Sequence, residues 1–313
     1  MFTRKFKDIF KDDASIAGGK GASLGEMINN KIPVPDGFVI LSTTFDKFVA
    51  DAKIDKKIEE FLRSVNLKKV ESVNQASVKI KKLITSIDIP KDIKAEIIKN
   101  FKELKSKFVA VRSSATCEDG ASDAWAGQLE SYLNTTERDL FENVKKCWAS
   151  LFTPRAIVYR FEKGLNKKEI SVAVVVQSMI QSEVSGIAFT VHPVTKDKDQ
   201  MIIEAGYGLG EAIVSGSITP DSYIVNKKNL KISDIYIANQ DRKIIQKSTT
   251  GGNSWVKVLE SDSEKQKLSN KQIIELAKIC INIEKHYKFP CDIEWAYFKS
   301  KFYIIQSRPI TTL

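Results

Sequence analysis

The stretch Cys291–Ile310, CDIEWAYFKSKFYIIQSRPI, decides how the rest of the chain is read. Its two runs, CDIEWAYF and KFYIIQSRPI, are rich in aromatic and β-branched residues, which suit a pleated, half-buried surface. Between them, Lys299, Ser300 and Lys301 suffice for a tight hairpin connection. Side chains alternate along a strand, so Asp292 and Glu294 share one face while Ile293, Trp295 and Tyr297 take the other. On the second strand Gln306 and Arg308 share a face, with Tyr303 and Ile305 opposite. A turn centred on Ser300 sets Glu294 across from Gln306, an alignment that a one-residue slip undoes. Two carboxylates, an amide oxygen and a guanidinium then meet on a small area of sheet. Hard oxygen ligands beside an arginine fork suit a Mg²⁺–polyphosphate. An edge hairpin with solvated charges is the plainer alternative, and the upstream motifs weigh against it.

At 313 residues, 42% hydrophobic and 28% charged, the chain has the composition of a globular enzyme with two lobes. No apolar run reaches the length of a membrane span, and MFTRKFKDIFKDD lacks a signal-peptide core. Cys117, Cys147, Cys280 and Cys291 are scattered without CxxC spacing. That spacing points away from zinc and disulfides and toward a reducing cytoplasm. The net charge of +10 comes from lysines spread along helices rather than gathered in one stripe. An anionic nucleotide is therefore a better-fitting ligand than nucleic acid, which is not expected as a partner.

Four upstream segments carry chemistry. Gly18-Gly19-Lys20-Gly21 offers close backbone approach and a phosphate-contacting lysine, but it is not a Walker A loop. Ala14 stands where that loop needs glycine, and Gly21 where it needs Ser or Thr. A helix entry with a surface lysine explains the same residues. Phe108–Thr116, FVAVRSSAT, reads as a buried strand ending on Arg112 and a hydroxyl cluster, followed by a small, polar, mobile loop through Gln128. Ser171–Ile180, SVAVVVQSMI, reads as a strand buried on both faces, with Gln177 as an amide that must find partners. That amide either bonds core backbone or reads a purine edge. Met201–Glu211, MIIEAGYGLGE, places a glycine turn after a strand, yet its G-x-G-x-G spacing without a βαβ setting argues against a dinucleotide fold. Residues 43–106 read as mostly helical scaffold, with Ile93, Ile97, Phe101 and Leu104 on one helix face. Residues 221–258 read as strand-rich. Ser269 and Gln272 form a capping box for a helix that leads into the hairpin.

Taken in order, AGGKGASLGEM, VAVRSSAT, WAGQLESYLN, SGIAFT, IIEAGYGLGE and DIEWA…YIIQSRPITTL resemble one family. It is the N-terminal nucleotide-binding domain of phosphoenolpyruvate synthases, within the wider group of pyruvate phosphate dikinases and rifampin phosphotransferases. The resemblance covers essentially the whole chain, and the loop RSSATCEDGASDAWAGQLES looks like the synthase and rifampin-transferase branch. It implies an α+β ATP-grasp fold, two lobes closing over ATP. The N-terminal lobe, 1–170, is expected to carry phosphate-binding loops, and the C-terminal lobe, 171–313, the adenine hinge and metal-binding hairpin. By the same resemblance Lys20 and Arg112 contact phosphates, and Gly127 and Gln128 lie in a loop covering them. Gln177, Met179 and Ile180 match the adenine hinge, while Glu204 and Glu211 fall in the ATP cleft. Glu294 and Gln306 match the Mg²⁺ ligands, with Asp292 in support, and Arg308 matches the arginine on the transferring phosphates.

The activity implied is phosphoryl or pyrophosphoryl transfer from ATP to a histidine on a swivelling domain, then to pyruvate bound on a further domain. A rifampin-type acceptor and a free-standing ATP-binding partner or regulatory module are the alternatives. The only histidines, His192 and His286, lack the Ser-His-Ala surroundings of that relay. The chain is therefore expected to hold and polarise ATP while the phosphorylatable histidine comes from elsewhere.

Overall fold

A computed structural model describes residues 1–116, 130–165, 171–247 and 251–311. Helix and sheet are mixed in an α+β arrangement, and the chain divides into two compact units. The first comprises Met1–Glu26 and Asp36–Met179; the second, Met27–Pro35 and Ile180–Leu313. Among the described residues every strand pairing is antiparallel, which removes the parallel βαβ unit a dinucleotide fold requires.

The first unit contains β1 (Thr3–Lys5), α1 (Ala14–Asn29, ending in the second unit), β2 (Gly37–Ile40), α2 (Ser42–Asp51), α3 (Asp55–Arg63), α4 (Val70–Ser86), α5 (Lys91–Glu103), β3 (Val109–Ala115), β4 (Ser131–Thr135), α6 (Leu140–Ala149), α7 (Pro154–Glu162) and β5 (Val172–Ser178). Its sheet runs β1-β2-β5-β3-β4. The valine-rich run of β5 has a simple cause, because both faces of the strand are covered. Val172, Val174 and Val176 join Phe38, Ile40, Val109 and Val111 in a core with Trp148 and the α2–α6 helices. The opposite face carries Val39, Val175, Arg112 and Ser114, and α1 presses on it.

The second unit contains β6 (Val184–Phe189), β7 (Gln200–Tyr207), α8 (Glu211–Val214), β8 (Asp221–Asn226), β9 (Lys231–Tyr236), β10 (Arg242–Gln246), β11 (Asn253–Lys257), α9 (Glu260–Ser263), α10 (Asn270–Tyr287), β12 (Cys291–Phe298) and β13 (Lys301–Pro309). Six strands form a sheet ordered β13-β12-β6-β7-β8-β9, and β10 and β11 form a separate two-stranded ribbon. The expected capping box opens α10: the Ser269 Oγ accepts from Gln272 N, while Gln272 Oε1 accepts from Ser269 N. Ile273, Leu276, Cys280 and Ile283 of α10 are buried, as are Ile203, Tyr223 and Ile293 on the covered face of the sheet. The sheet's other face is only half-buried and carries the charged residues.

Candidate functional site

The hairpin pairs Glu294 with Gln306 and Asp292 with Arg308, but by a different route from a simple turn. The connection is two residues long, Lys299 and Ser300, at φ 48° and 60°, the left-handed pair that a tight antiparallel hairpin demands. This shorter turn sets Trp295 opposite Ile304 and Ala296 opposite Tyr303. A bulge at Ile305 then absorbs one residue of β13 and restores the Glu294–Gln306 alignment. Two expectations are corrected in consequence. Tyr303 lies on the Glu294 face, and Ile304, fully buried, replaces Ile305 as the partner of Trp295.

From Glu294 the row continues across the sheet. Glu294 faces Ile187 of β6, which faces Glu204 of β7, which faces Ser222 of β8. Directly paired residues of antiparallel strands project to the same side, so Gln306, Glu294 and Glu204 share one face. The adjoining row adds Arg308, Asp292, Phe189 and Ile202. Arg308 donates from Nε at 2.9 Å and from Nη2 at 2.7 Å to the Asp292 Oδ2. Burial pushes the Asp292 carboxyl up, Arg308 pulls it down, and the neighbouring Glu294 charge pushes it up again, for a net rise. Glu204 is also raised, by burial first and by the Asp292 charge second. Three carboxylates and one arginine thus share a half-buried sheet face.

A carboxyl whose value rises on folding binds protons more tightly in the folded state, so its contribution falls as pH climbs from its ordinary value through the raised one. For Glu204 that window opens near 4.5 and extends upward. Glu204→Gln is therefore expected to raise the thermal midpoint of the unliganded protein at neutral pH, with the gap closing as the pH approaches 4.5. Thermal melts of both proteins across that range check the sign.

In the first unit, α1 is broken at Gly18 (φ 67°) and leans on the end of β3. A Cβ at Gly18 would lie 2.2 Å from the Ser114 Oγ, and Gly21 N donates to that oxygen at 3.3 Å. These two glycines therefore serve close approach to the protein's own strand. The packing carries Lys20 toward the strand that holds Arg112. The Lys20 charge is felt by the Cys147 thiol, whose Sγ donates to Val111 O at 3.6 Å, one residue before Arg112. Arg112 is buried and faces Val175, with Gln177 and Ala110 paired two positions along, so Arg112 and Gln177 lie on one face of the sheet. The Gln177 side chain is 1% exposed, and its Nε2 has no hydrogen-bond partner among the described residues. A buried donor of that kind is costly unless a ligand satisfies it. Met179 follows β5, with its N donating to Phe108 O at 3.0 Å, and Ile180 begins the stretch assigned to the second unit.

A family model described as the pyruvate phosphate dikinase AMP/ATP-binding domain matches residues 14–313. The chain belongs to this family. It is 44% identical over 313 residues to a probable phosphoenolpyruvate synthase of Methanocaldococcus jannaschii, covering 98% of this chain and 26% of that protein. It is 40% identical over 358 residues to the phosphoenolpyruvate synthase of Pyrococcus furiosus, covering 100% of this chain and 44% of the relative. A rifampicin phosphotransferase of Bacillus subtilis is 37% identical over 310 residues, covering 98% of this chain and 35% of its own length. The chain thus spans from about a quarter to under half of these relatives.

Gly127 and Gln128 lie outside the described residues. Glu211 opens α8, away from the carboxylate rows, and accepts from Asn253 Nδ2 of the ribbon. His192 closes a turn, its Nδ1 accepting from Val194 N at 3.3 Å and Thr195 N at 3.1 Å, and the His286 Nε2 lies 3.4 Å from Asn30 Nδ2. Cys147, Cys280 and Cys291 are buried free thiols, all held well above their ordinary value by burial. No helix among the described residues is long and apolar enough to cross a membrane. Ser114, which Gly18 and Gly21 N approach, reads in the sequence only as one of a hydroxyl run.

Proposed function

We propose that the chain is the Mg·ATP-binding, phosphoryl-donating domain of a phosphoenolpyruvate-synthase-like phosphotransferase, built as an ATP-grasp. The supporting observation is the row Gln306–Glu294–Ile187–Glu204 beside Arg308–Asp292 on one half-buried sheet face. The crowded carboxylates, with the Asp292 and Glu204 groups raised, fit a cation there. Among the described residues no three His, Cys, Asp or Glu side chains form a metal cage. Mg²⁺ takes one or two carboxylates and fills its remaining positions with phosphate oxygens and water. Glu294 and Gln306 would hold it, and when bound it supplies charge neutralisation on the polyphosphate.

The other residues act by position. Arg308, oriented by Asp292, offers charge to the oxygens on which negative charge shifts during transfer. On the same reading Lys20 and Arg112 contact phosphates. The unsatisfied Gln177 Nε2 offers a purine edge a donor, and Met179 and Ile180 provide hinge backbone. The phosphoryl group passes to a histidine on a swivelling domain and then to pyruvate. The rifampicin phosphotransferase relative supports a second acceptor class served by the same donor domain.

Calorimetry with ATP and GTP, each with Mg²⁺ and with chelator, tests the reading. ATP is expected to bind more tightly than GTP and to lose affinity without Mg²⁺. Equal affinities, or indifference to the chelator, would overturn it.

A further inference from the structure

The glycine turn after β7 is held by a side chain that replaces a missing strand. β8 pairs with β7 only as far as Ala205, which faces Asp221, so the backbone of Tyr207 runs past the end of its neighbour. Buried N–H and C=O groups require partners. Gln240 supplies both for this residue. Its Oε1 accepts from Tyr207 N at 2.8 Å, and its Nε2 donates to Tyr207 O at 3.0 Å. The same Nε2 donates to Arg242 O at 3.1 Å, at the start of the β10–β11 ribbon. The Gln240 side chain is 1% exposed, and the absence of a side chain at Gly206 leaves it room, since a Cβ there would approach the Gln240 Oε1 to 3.2 Å.

The rest of the turn is tied to the same ribbon. Leu209 N donates to Ile244 O at 2.9 Å. Gly208, at φ 85°, comes so near that a Cβ would stand 2.4 Å from that carbonyl oxygen. Asn253 Nδ2 on β11 donates to the Glu211 Oε2 at 2.5 Å. On the other side, the hydroxyls of Ser182 and Ser185 donate to Gly208 O at 2.9 and 2.6 Å. Gly206–Glu211 is thus clamped between β6 and the ribbon, with Glu204 three residues before Tyr207 on the carboxylate face.

We propose that Gln240 is a positioning residue for the nucleotide site: through Tyr207 it couples the β10–β11 ribbon to the glycine turn and fixes Glu204 and Glu211. This rests on the proposal that the turn belongs to the Mg·ATP site. Gln240→Met keeps length and removes the three side-chain hydrogen bonds, while the backbone bond from Gln240 N to Ser263 O stays. It is expected to weaken Mg·ATP binding about tenfold, the loss of roughly one hydrogen bond's worth of orientation. It should also speed amide exchange at Tyr207 and Leu209. Gln240→Glu keeps the acceptor for Tyr207 N but turns a donor into a charge facing two carbonyls, so it should not rescue. Asn253→Ala, at a half-buried position on the ribbon, should loosen Glu211 and weaken binding several-fold even if Gln240→Met does not fold.

Glu284→Gln separates positioning from plain stability. It weakens the Lys227–Glu284 pair (2.7 Å) in the same unit and should lower the melting midpoint without changing the Mg·ATP dissociation constant. Unchanged binding in both Gln240→Met and Asn253→Ala, with the wild type binding normally, overturns the positioning role alone. So does a loss that Glu284→Gln reproduces. Failure of the wild type to bind Mg·ATP removes the underlying reading and this role with it, while faster exchange at Tyr207 in Gln240→Met still reports whether the clamp holds the turn.

Discussion

Glu294→Ala is expected to cost on the order of 100-fold in Mg²⁺-dependent ATP binding, and Gln306→Ala nearer tenfold. The upper end of the range for groups that support a bound metal is taken for the charged ligand, and the lower end for the neutral amide. Arg308→Ala should act differently. Its guanidinium is already oriented by Asp292 through two contacts, at 2.9 and 2.7 Å, so its charge is fixed in place before substrate arrives. Preorganised charge of this kind contributes most where charge moves, so the loss should fall on transfer, by about 100- to 1,000-fold, more than on binding. Arg308→Lys should recover part of this, since a point charge cannot keep the forked contact with Asp292. The controls are set by the bulge. Ile304, buried against Trp295, should lose about 2–5 kcal/mol of stability on change to Ala and leave Mg²⁺ dependence alone. Calorimetry at two Mg²⁺ concentrations, with urea melts alongside, separates the outcomes. A Glu294→Ala protein with wild-type Mg²⁺ dependence would remove the metal assignment.

What could be read from sequence was whatever a period carries. Alternation identified β12 and β13 and put Asp292, Glu294, Gln306 and Arg308 on one face, because a strand with one covered face has no other stable arrangement. The same period could not locate the bulge at Ile305. A shorter turn plus one extra residue preserves the outer alignment and moves only Tyr303, Ile304 and Ile305. Nor do Lys299 and Ser300 resemble the Asn-Gly pair that usually marks such a turn. The helical period recovered Ile93, Ile97 and Phe101, all buried on α5, while Leu104, the fourth expected member of that face, is the helix C-cap and only half-buried. Glycines were harder. Gly18 and Gly21 looked suited to a ligand, yet their close neighbours are Ser114 and Val39. Gln240 was illegible because a carboxamide standing in for a strand is specified by where the neighbouring strand stops, which no local pattern records.

The largest stability effect is expected at Lys267 and Asp221, charged residues whose side chains are wholly buried in the second unit. The ammonium lies 3.0 Å from the Asp221 Oδ1 and also donates to Ala238 O at 2.5 Å and Ser263 O at 3.3 Å. The carboxylate in turn accepts from Ala238 N, Lys267 N and the Tyr223 hydroxyl at 3.0, 2.9 and 2.7 Å. Fully satisfied, such a pair adds little net stability over apolar residues of similar size, but removing one partner strands a buried charge. Lys267→Met should therefore cost about 3–5 kcal/mol in urea unfolding, and Asp221→Asn a comparable amount. The double variant should cost less than the sum of the two, since neither charge is then left alone. Additive costs would mean that the two charges are screened from each other and the pair is not a unit. The location gives the result a second use. Both charged groups bond Ala238, two residues before Gln240, so slackening this pair should also quicken amide exchange at Tyr207.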